Sequence, residues 1–372
     1  MRVLLVSSRE KGHLHPMRSV ASSLVASGHD VAWLVLPRPP AGLDEPGVAL
    51  FALDEAFADL VTSGPELAAL VRDPARLAPW IRRLLVDDVP AQVPGVTRVL
   101  RAFRPDVVAT DPMVYAAAIA ADAAKIPWIG LSSSLNPVVP DAWDSPLLRT
   151  TRALDAERRA LLPVDFRVSD ALSPRGTGAW TTSALVGPPP PGVRLLGPVG
   201  PAVCAPPPEA PFLYGSFGSQ ISWQPDAFCA LADAARRLGL RPVFAAGELV
   251  DDDAFRARVG DAVLLRDAPQ LALLAHASVF VSHGGANSVM EALSAGTPLA
   301  LWPVCNDQPH NARFVVEAGA GVDLTGLSGA ALVDALAATM SDPHIVRARR
   351  AISDDYAQNI GEDAVEAWLA EL

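Results

Sequence analysis

The chain has 372 residues and a net charge of −11, from 41 acidic against 30 basic side chains; half of its residues are apolar and only 19% are charged. It is too apolar to be intrinsically disordered and long enough for one large domain or two ordinary ones. The acidic balance excludes a general binder of nucleic acid or anionic membrane, whose phosphate footprint needs clustered positive charge. Three cysteines (Cys204, Cys229, Cys305) at unrelated spacings support neither a disulfide framework nor a zinc cluster. The apolar start is too short for a secretory signal and runs into Glu10 and Lys11; no stretch reaches the length needed to span a bilayer. A soluble, cytoplasmic protein is expected.

Residues 2–7 predict a buried strand, 16–27 a helix closed by Gly28, and 31–36 the next strand. Residues 106–109 and 128–131 predict two more strands, with a helix over 114–125 between them. Strand and helix alternating at this spacing imply parallel pairing in a doubly wound α/β sheet. The stretch 53–101 is helical in composition but broken by Pro65, Pro74, Pro79, Pro90 and Pro94, the pattern of irregular helices lining a pocket beside a rigid sheet. Between Gly187 and Pro211 prolines crowd together, starting with Pro188 to Pro191. Proline fixes its own φ and cannot donate to a ladder, so this reads as a stiff connector. Strands over 212–214, 242–246, 262–265, 279–282 and 298–302 follow, with helices over 225–238 and 288–295. The expected organisation is an N-terminal domain over 1–187, a linker over 188–211, a C-terminal domain over 212–345, and a helical segment over 346–372 packing back on the N-terminal domain. Ligands of open parallel sheets sit at the carboxyl ends of strands, which places the site between the two halves.

Two segments carry chemistry. In the first, the strand over 279–282 runs into His283-Gly284-Gly285-Ala286-Asn287-Ser288 and a helix bearing Glu291. The glycines allow a tight turn and close approach to a ligand. Asn287 or Ser288 can cap the helix, whose free N–H groups make an anion site. Asp307-Gln308 follows the next strand and suits hydroxyl recognition, and Phe217-Gly218-Ser219 ends another strand at the same cleft. In the second, Gly12-His13-Leu14-His15-Pro16 follows the first strand. A histidine there is a natural general base, and Asp111, ending a later strand, can orient its other ring nitrogen. Asp111 can equally cap the helix that follows Pro112. The run Asp251-Asp252-Asp253 reads as solvated acids, so no metal site is expected.

The ordered series from Ala268-Pro269-Gln270 through His283 to Glu291 and on to Trp302-Pro303 and Asp307-Gln308 resembles the donor-binding half of family 1 nucleotide-sugar-dependent glycosyltransferases. The Gly-His-x-x-Pro pattern at His13 and the aspartate at Asp111 resemble the N-terminal half of the same family. The resemblance implies a GT-B fold, two Rossmann-like domains facing a cleft. It implies that His283, Asn287 and Ser288 bind the diphosphate with the Gly285 and Ala286 backbone and the Gly218-Ser219 loop. Glu291 would hold ribose, Gln270 would belong to the donor site, and Asp307 and Gln308 would hold the donor sugar. His13 would be the base and Asp111 its partner. Asp267 and Ala286 stand where plant members carry tryptophan, which leaves UDP and TDP both open. The implied reaction is inverting transfer of a hexose from an NDP-sugar co-substrate to a hydroxyl of a hydrophobic small molecule, with no metal or other cofactor.

The acceptor pocket is expected from the irregular helices and the loop after residue 131, with Phe57, Trp80, Met113, Leu135 and Trp143 as apolar lining. The protein is expected as a monomer or homodimer. Two other readings share the donor half: a GT-B sugar-nucleotide epimerase, and a non-catalytic nucleotide-sugar-binding partner of a transferase. Retention of both His13 and Asp111 argues against each. A dinucleotide oxidoreductase would need Gly-x-Gly-x-x-Gly after the first strand, which is absent.

Overall fold

The apolar runs form two parallel sheets in the computed structural model, which describes residues 1–53, 64–200 and 210–372. The first sheet contains β1 (Arg2–Ser8), β2 (Asp30–Leu36), β3 (Val48–Phe51), β4 (Val107–Thr110) and β5 (Trp128–Ser132). After a small antiparallel hairpin of β6 (Phe166–Arg167) and β7 (Asp170–Ala171), it is completed by β8 (Thr177–Ala179) and β9 (Val193–Leu195). The second sheet contains β10 (Phe212–Ser216), β11 (Arg241–Ala245), β12 (Val263–Leu265), β13 (Val279–Ser282), β14 (Leu299–Leu301) and β15 (Gly321–Asp323). Strand orders are β3-β2-β1-β4-β5-β8-β9 and β12-β11-β10-β13-β14-β15. Each order reverses direction once, between β1 and β4 and between β10 and β13, and such reversals open a crevice at the strand ends.

Val3 to Val6 and Ala32 to Val35 are completely buried, as expected of central parallel strands covered on both faces. One apolar cluster runs from Val3 and Leu5 through Trp143, Trp180 and Trp368 to Phe280 and Leu301, so the two halves share a core. The last helix, Gly361–Leu369, crosses back to the first sheet. Its Trp368 packs so closely that a Cβ added at Gly176 would come within 2.8 Å of the indole. Glu366 accepts from Ser27 Oγ at 2.7 Å, and Arg194 donates to Glu371 at 2.5 Å with its guanidinium over the Trp368 ring.

Two local differences from the expectation have physical reasons. The helix after β1 starts at Lys11, not at residue 16. Proline at 16 reads as a first-turn residue, yet it stands inside the helix because the carbonyl it leaves without an intrahelical donor, that of Gly12, accepts from Asn287 Nδ2 at 2.5 Å. The proline-rich stretch is not all connector, since β9 follows Pro188 to Pro191 and pairs with β8 at a sheet edge, where proline is tolerated. The segment after β3 keeps its helices in pieces: Pro74–Arg82 runs through a π turn at Arg83–Asp87 into Val89–Phe103. Among the described residues no helix is long and apolar enough to cross a membrane.

Candidate active site

His13 lies in the first turn of Lys11–Ala26, immediately beyond β1, and Asp111 follows β4. Because Val6 pairs with Thr110, the Asp111 N–H donates to the Val6 carbonyl at 2.8 Å and the carboxylate stands beside the end of β1. Asp111 Oδ2 hydrogen-bonds His13 Nδ1, while Oδ1 accepts from the Met113 N–H at 3.0 Å. The following helix starts only at Tyr115, with Val114 at its N-cap, so Asp111 does not cap it. Ser133 Oγ, from the loop after β5, lies 2.7 Å from the same His13 Nδ1. Nε2 has no hydrogen-bond partner among the described residues and is the atom left for chemistry. Burial pulls the His13 pKa down, but the Asp111 carboxylate, by charge and hydrogen bond, with Glu10 and Asp170 beyond it, outweighs burial and holds it above the ordinary value.

The second sheet builds a complementary set at its own reversal point. Ser216 pairs with Ser282, which brings Gly218 beside His283. A Cβ at Gly218 or Gly285 would come within 2.8 or 2.6 Å of His283 Nε2, and Gly218 has φ +73°, so both positions need glycine to admit the imidazole. Burial pushes His283 down to about 4, leaving it neutral near pH 7, and its Nδ1 is buried without a partner. The helix Ala286–Ser294 has Gly285 at its N-cap with no side-chain cap. The expected capping by Asn287 or Ser288 does not occur, because both lie inside the first turn and point elsewhere. The first-turn N–H groups are thus open to an anion. Gln270 Nε2 donates to Ser288 Oγ at 3.2 Å and Glu291 Oε2 at 2.6 Å, and its Oε1 accepts from Tyr214 at 3.2 Å. Burial pushes Glu291 up to about 7 against that hydrogen bond. Asp307 is the N-cap of Gln308–Glu317, accepts from Asn311 at 2.9 Å, and has its pKa raised by burial, while His13 acts on it as an opposing charge. Gln308 turns inward instead: its Oε1 accepts from the Val304 and Cys305 N–H groups at 2.9 and 3.0 Å. Ser219 is exposed on the loop after β10.

The two sets meet across the cleft. Asn287 reaches the Gly12 carbonyl next to His13, and Lys11 Nζ donates to Asp267 at 2.5 Å. Asp267 therefore carries an ion pair to the other half. His310 and Ser145 bond at 2.7 Å. A cavity of about 390 Å³ opens here between Arg9, Lys11, His15 and Arg18 on one side and Ser219 and Gln220 on the other.

The expected acceptor lining separates into several roles. Phe57 lies outside the described residues. Leu135 and Trp143 are core residues, and Trp143 packs on Phe314 with tilted rings whose centres are 4.6 Å apart and with the Arg313 guanidinium 4.1 Å above its ring. They join the halves rather than lining an open pocket, because large apolar side chains at the cleft floor are drawn into the shared core. Trp80 and Met113 are half-buried. Trp80 packs on a cluster in which Leu67, Leu70 and Val71 meet Ile221 and Cys305 of the other half. Ser133, Asp170 and the Gly12 carbonyl escaped sequence reasoning; only the serine run 132–134 offered a signal. The acids 251–253 serve locally, Asp251 pairing with Arg266 and Asp252 capping a helix.

Residues 209–353 match the family described as UDP-glucoronosyl and UDP-glucosyl transferase. L-demethylnoviosyl transferase of Streptomyces niveus is 28% identical over 364 residues, covering 87% of this chain and 85% of that protein. NDP-glycosyltransferase YjiC of Bacillus licheniformis is 31% identical over 166 residues, but the match spans only 43% of this chain and 42% of the relative's length. The spinosyn rhamnosyltransferase SpnG, solved with thymidine diphosphate, superposes over all of both chains with a TM-score of 0.72 at 18% identity. The family match thus falls on the second half, and the superposition gives the whole chain the GT-B fold of two facing Rossmann-like halves.

Proposed function

We propose that this chain is an inverting, metal-independent glycosyltransferase that moves a hexose from a UDP- or TDP-sugar to a hydroxyl of a hydrophobic natural product. The observation that carries the reading is the His13–Asp111 pair, with Nε2 unengaged, one residue from the point where Asn287 of the uncapped helix crosses the cleft. The nucleotide lies on the second half, its diphosphate against the first-turn N–H groups, Ser288 and His283, its ribose at Glu291. Asp307 faces the sugar. His13 Nε2 takes the acceptor proton as the acceptor oxygen bonds the anomeric carbon and the bond to the diphosphate oxygen breaks. Asp111 stabilises the imidazolium that forms. Charge developing on the departing diphosphate is met by oriented N–H dipoles, a contribution of several kcal/mol in comparable sites. The Streptomyces relative is named as an L-demethylnoviosyl transferase and the neighbour as a spinosyn rhamnosyltransferase complexed with thymidine diphosphate, which supports that acceptor class and favours TDP. The test is NDP release from UDP- and TDP-sugars over a panel of aromatic and macrocyclic aglycones. Wild type turns over, and His13→Ala loses at least about a hundredfold; unchanged turnover in His13→Ala refutes the reading.

A further inference from the structure

Behind the candidate base lies a buried carboxylate with no part in the chemistry above. Asp170, on β7, is 1% exposed, and among the described residues its carboxylate accepts from one short loop and its own neighbour. Ser132 Oγ donates to its Oδ2, as does Ser134 Oγ at 3.4 Å; Asn136 Nδ2 donates to Oδ1 at 2.9 Å and Ser169 Oγ at 3.2 Å. Ser132 Oγ also accepts from the Ser134 N–H at 3.2 Å, and Ser134 Oγ from the Asn136 N–H at 3.2 Å. Both neighbours of Ser133 are therefore fixed, and Ser133 is the residue whose hydroxyl meets His13 Nδ1 at 2.7 Å and Asp111 Oδ2 at 3.5 Å.

The hairpin bearing Asp170 is itself held under strain. Val168 has φ +53°, a left-handed conformation disfavoured for a β-branched residue. Its carbonyl accepts from Arg158 at 2.7 Å, and Arg158 is 1% exposed, with its guanidinium 4.5 Å from the centre of the Phe166 ring. Tyr115 Oη, bonded to Arg158 at 3.2 Å, donates to the Ser169 carbonyl at 2.5 Å. A buried cation, a buried phenol and a strained valine together aim one carboxylate at the serine loop. A loop needed only to close a sheet would be served by apolar packing, without several buried polar groups.

We propose that Asp170 is a positioning residue: it clamps the 132–136 loop so that Ser133, with Asp111, fixes the ring and tautomer of His13. The proposal rests on His13 being the base. A neutral His13 carrying its proton on Nδ1 shares it between Asp111 and Ser133, which leaves the Nε2 lone pair for the acceptor. The charges acting on His13 are Asp111, Glu10 and Asp170 from its own half, with Asp307 facing it across the cleft.

The experiment measures NDP release by full-length Asp170→Asn, Ser133→Ala and His13→Ala with one donor and the best acceptor of the panel, recording kcat, donor KM and the pH profile of kcat/KM. Asp170→Asn is expected to lower kcat about tenfold or more and leave donor KM within about twofold. It is also expected to move the acid limb to lower pH, because a negative charge near His13 has gone. Ser133→Ala, which removes one half-buried hydroxyl, is expected to lower kcat several-fold at constant donor KM. Folded Asp170→Asn with wild-type kcat and limb overturns the proposal while an inactive His13→Ala leaves the base assignment standing. Should Asp170→Asn not fold, wild-type kcat in Ser133→Ala overturns it. An active His13→Ala overturns both.

Discussion

At the scale of single residues, the site depends on which nitrogen is engaged and which atom is missing. Asp111 holds His13 Nδ1 and lifts the imidazole pKa. Only the neutral ring accepts a proton, so kcat/KM should rise with pH through a limb above the ordinary histidine value of about 6.5. Asp111→Asn removes the charge, so the limb should move down in pH while the plateau falls by about two orders of magnitude or more. A pH–rate profile of the two proteins checks both signs. At His283 the missing atom is the Cβ of Gly285. Gly285→Ala places a methyl 2.6 Å from the ring nitrogen. Overpacking of that kind costs about 1–3 kcal/mol, so UDP and TDP should bind about tenfold more weakly, measurable by calorimetry.

At the scale of elements, the last helix is the clearest case of distant chain segments sharing one core. Trp368 is 1% exposed and sits over Gly176 and Gly178 of the first half. Trp368→Ala should cost about 3–5 kcal/mol in urea unfolding, far more than its place four residues from the end of the sequence suggests. The same scale shows what could be read in the chain alone. β1, β2, β4, β5, β10 and β13 were legible because central parallel strands are continuous apolar runs. β3, β8, β9 and β15 were not: they are three or four residues long, and β8 and β9 lie among glycines and prolines that signal turns. The helix start at Lys11 was missed because the partner that makes Pro16 tolerable there is Asn287, 275 positions from the Gly12 carbonyl it bonds. For the site, glycine turns and strand-end histidines were visible as local patterns. The inward turn of Gln308 onto the Val304 and Cys305 N–H groups of its own loop left no local pattern, Trp143 is buried against Phe314 of the opposite half, and Asp170 was invisible because a lone aspartate carries no periodicity or motif.

At the scale of the molecule, two sheets present their reversal points to one another, and the cleft is bridged by contacts of different strength. Lys11–Asp267 is an exposed pair, worth little and weakened by salt. Asn287 to the Gly12 carbonyl and the shared apolar cluster are less sensitive to ions. The proposed function divides the work across this arrangement, with nucleotide bound by the second half and the base supplied by the first. The measurement that tests this division most directly is calorimetric titration of UDP and TDP into wild type, His13→Ala and His283→Ala. Wild type and His13→Ala should share one nucleotide affinity within about twofold, and His283→Ala should bind at least about tenfold more weakly. Equal loss in both variants, or nucleotide binding indifferent to His283, would contradict this division.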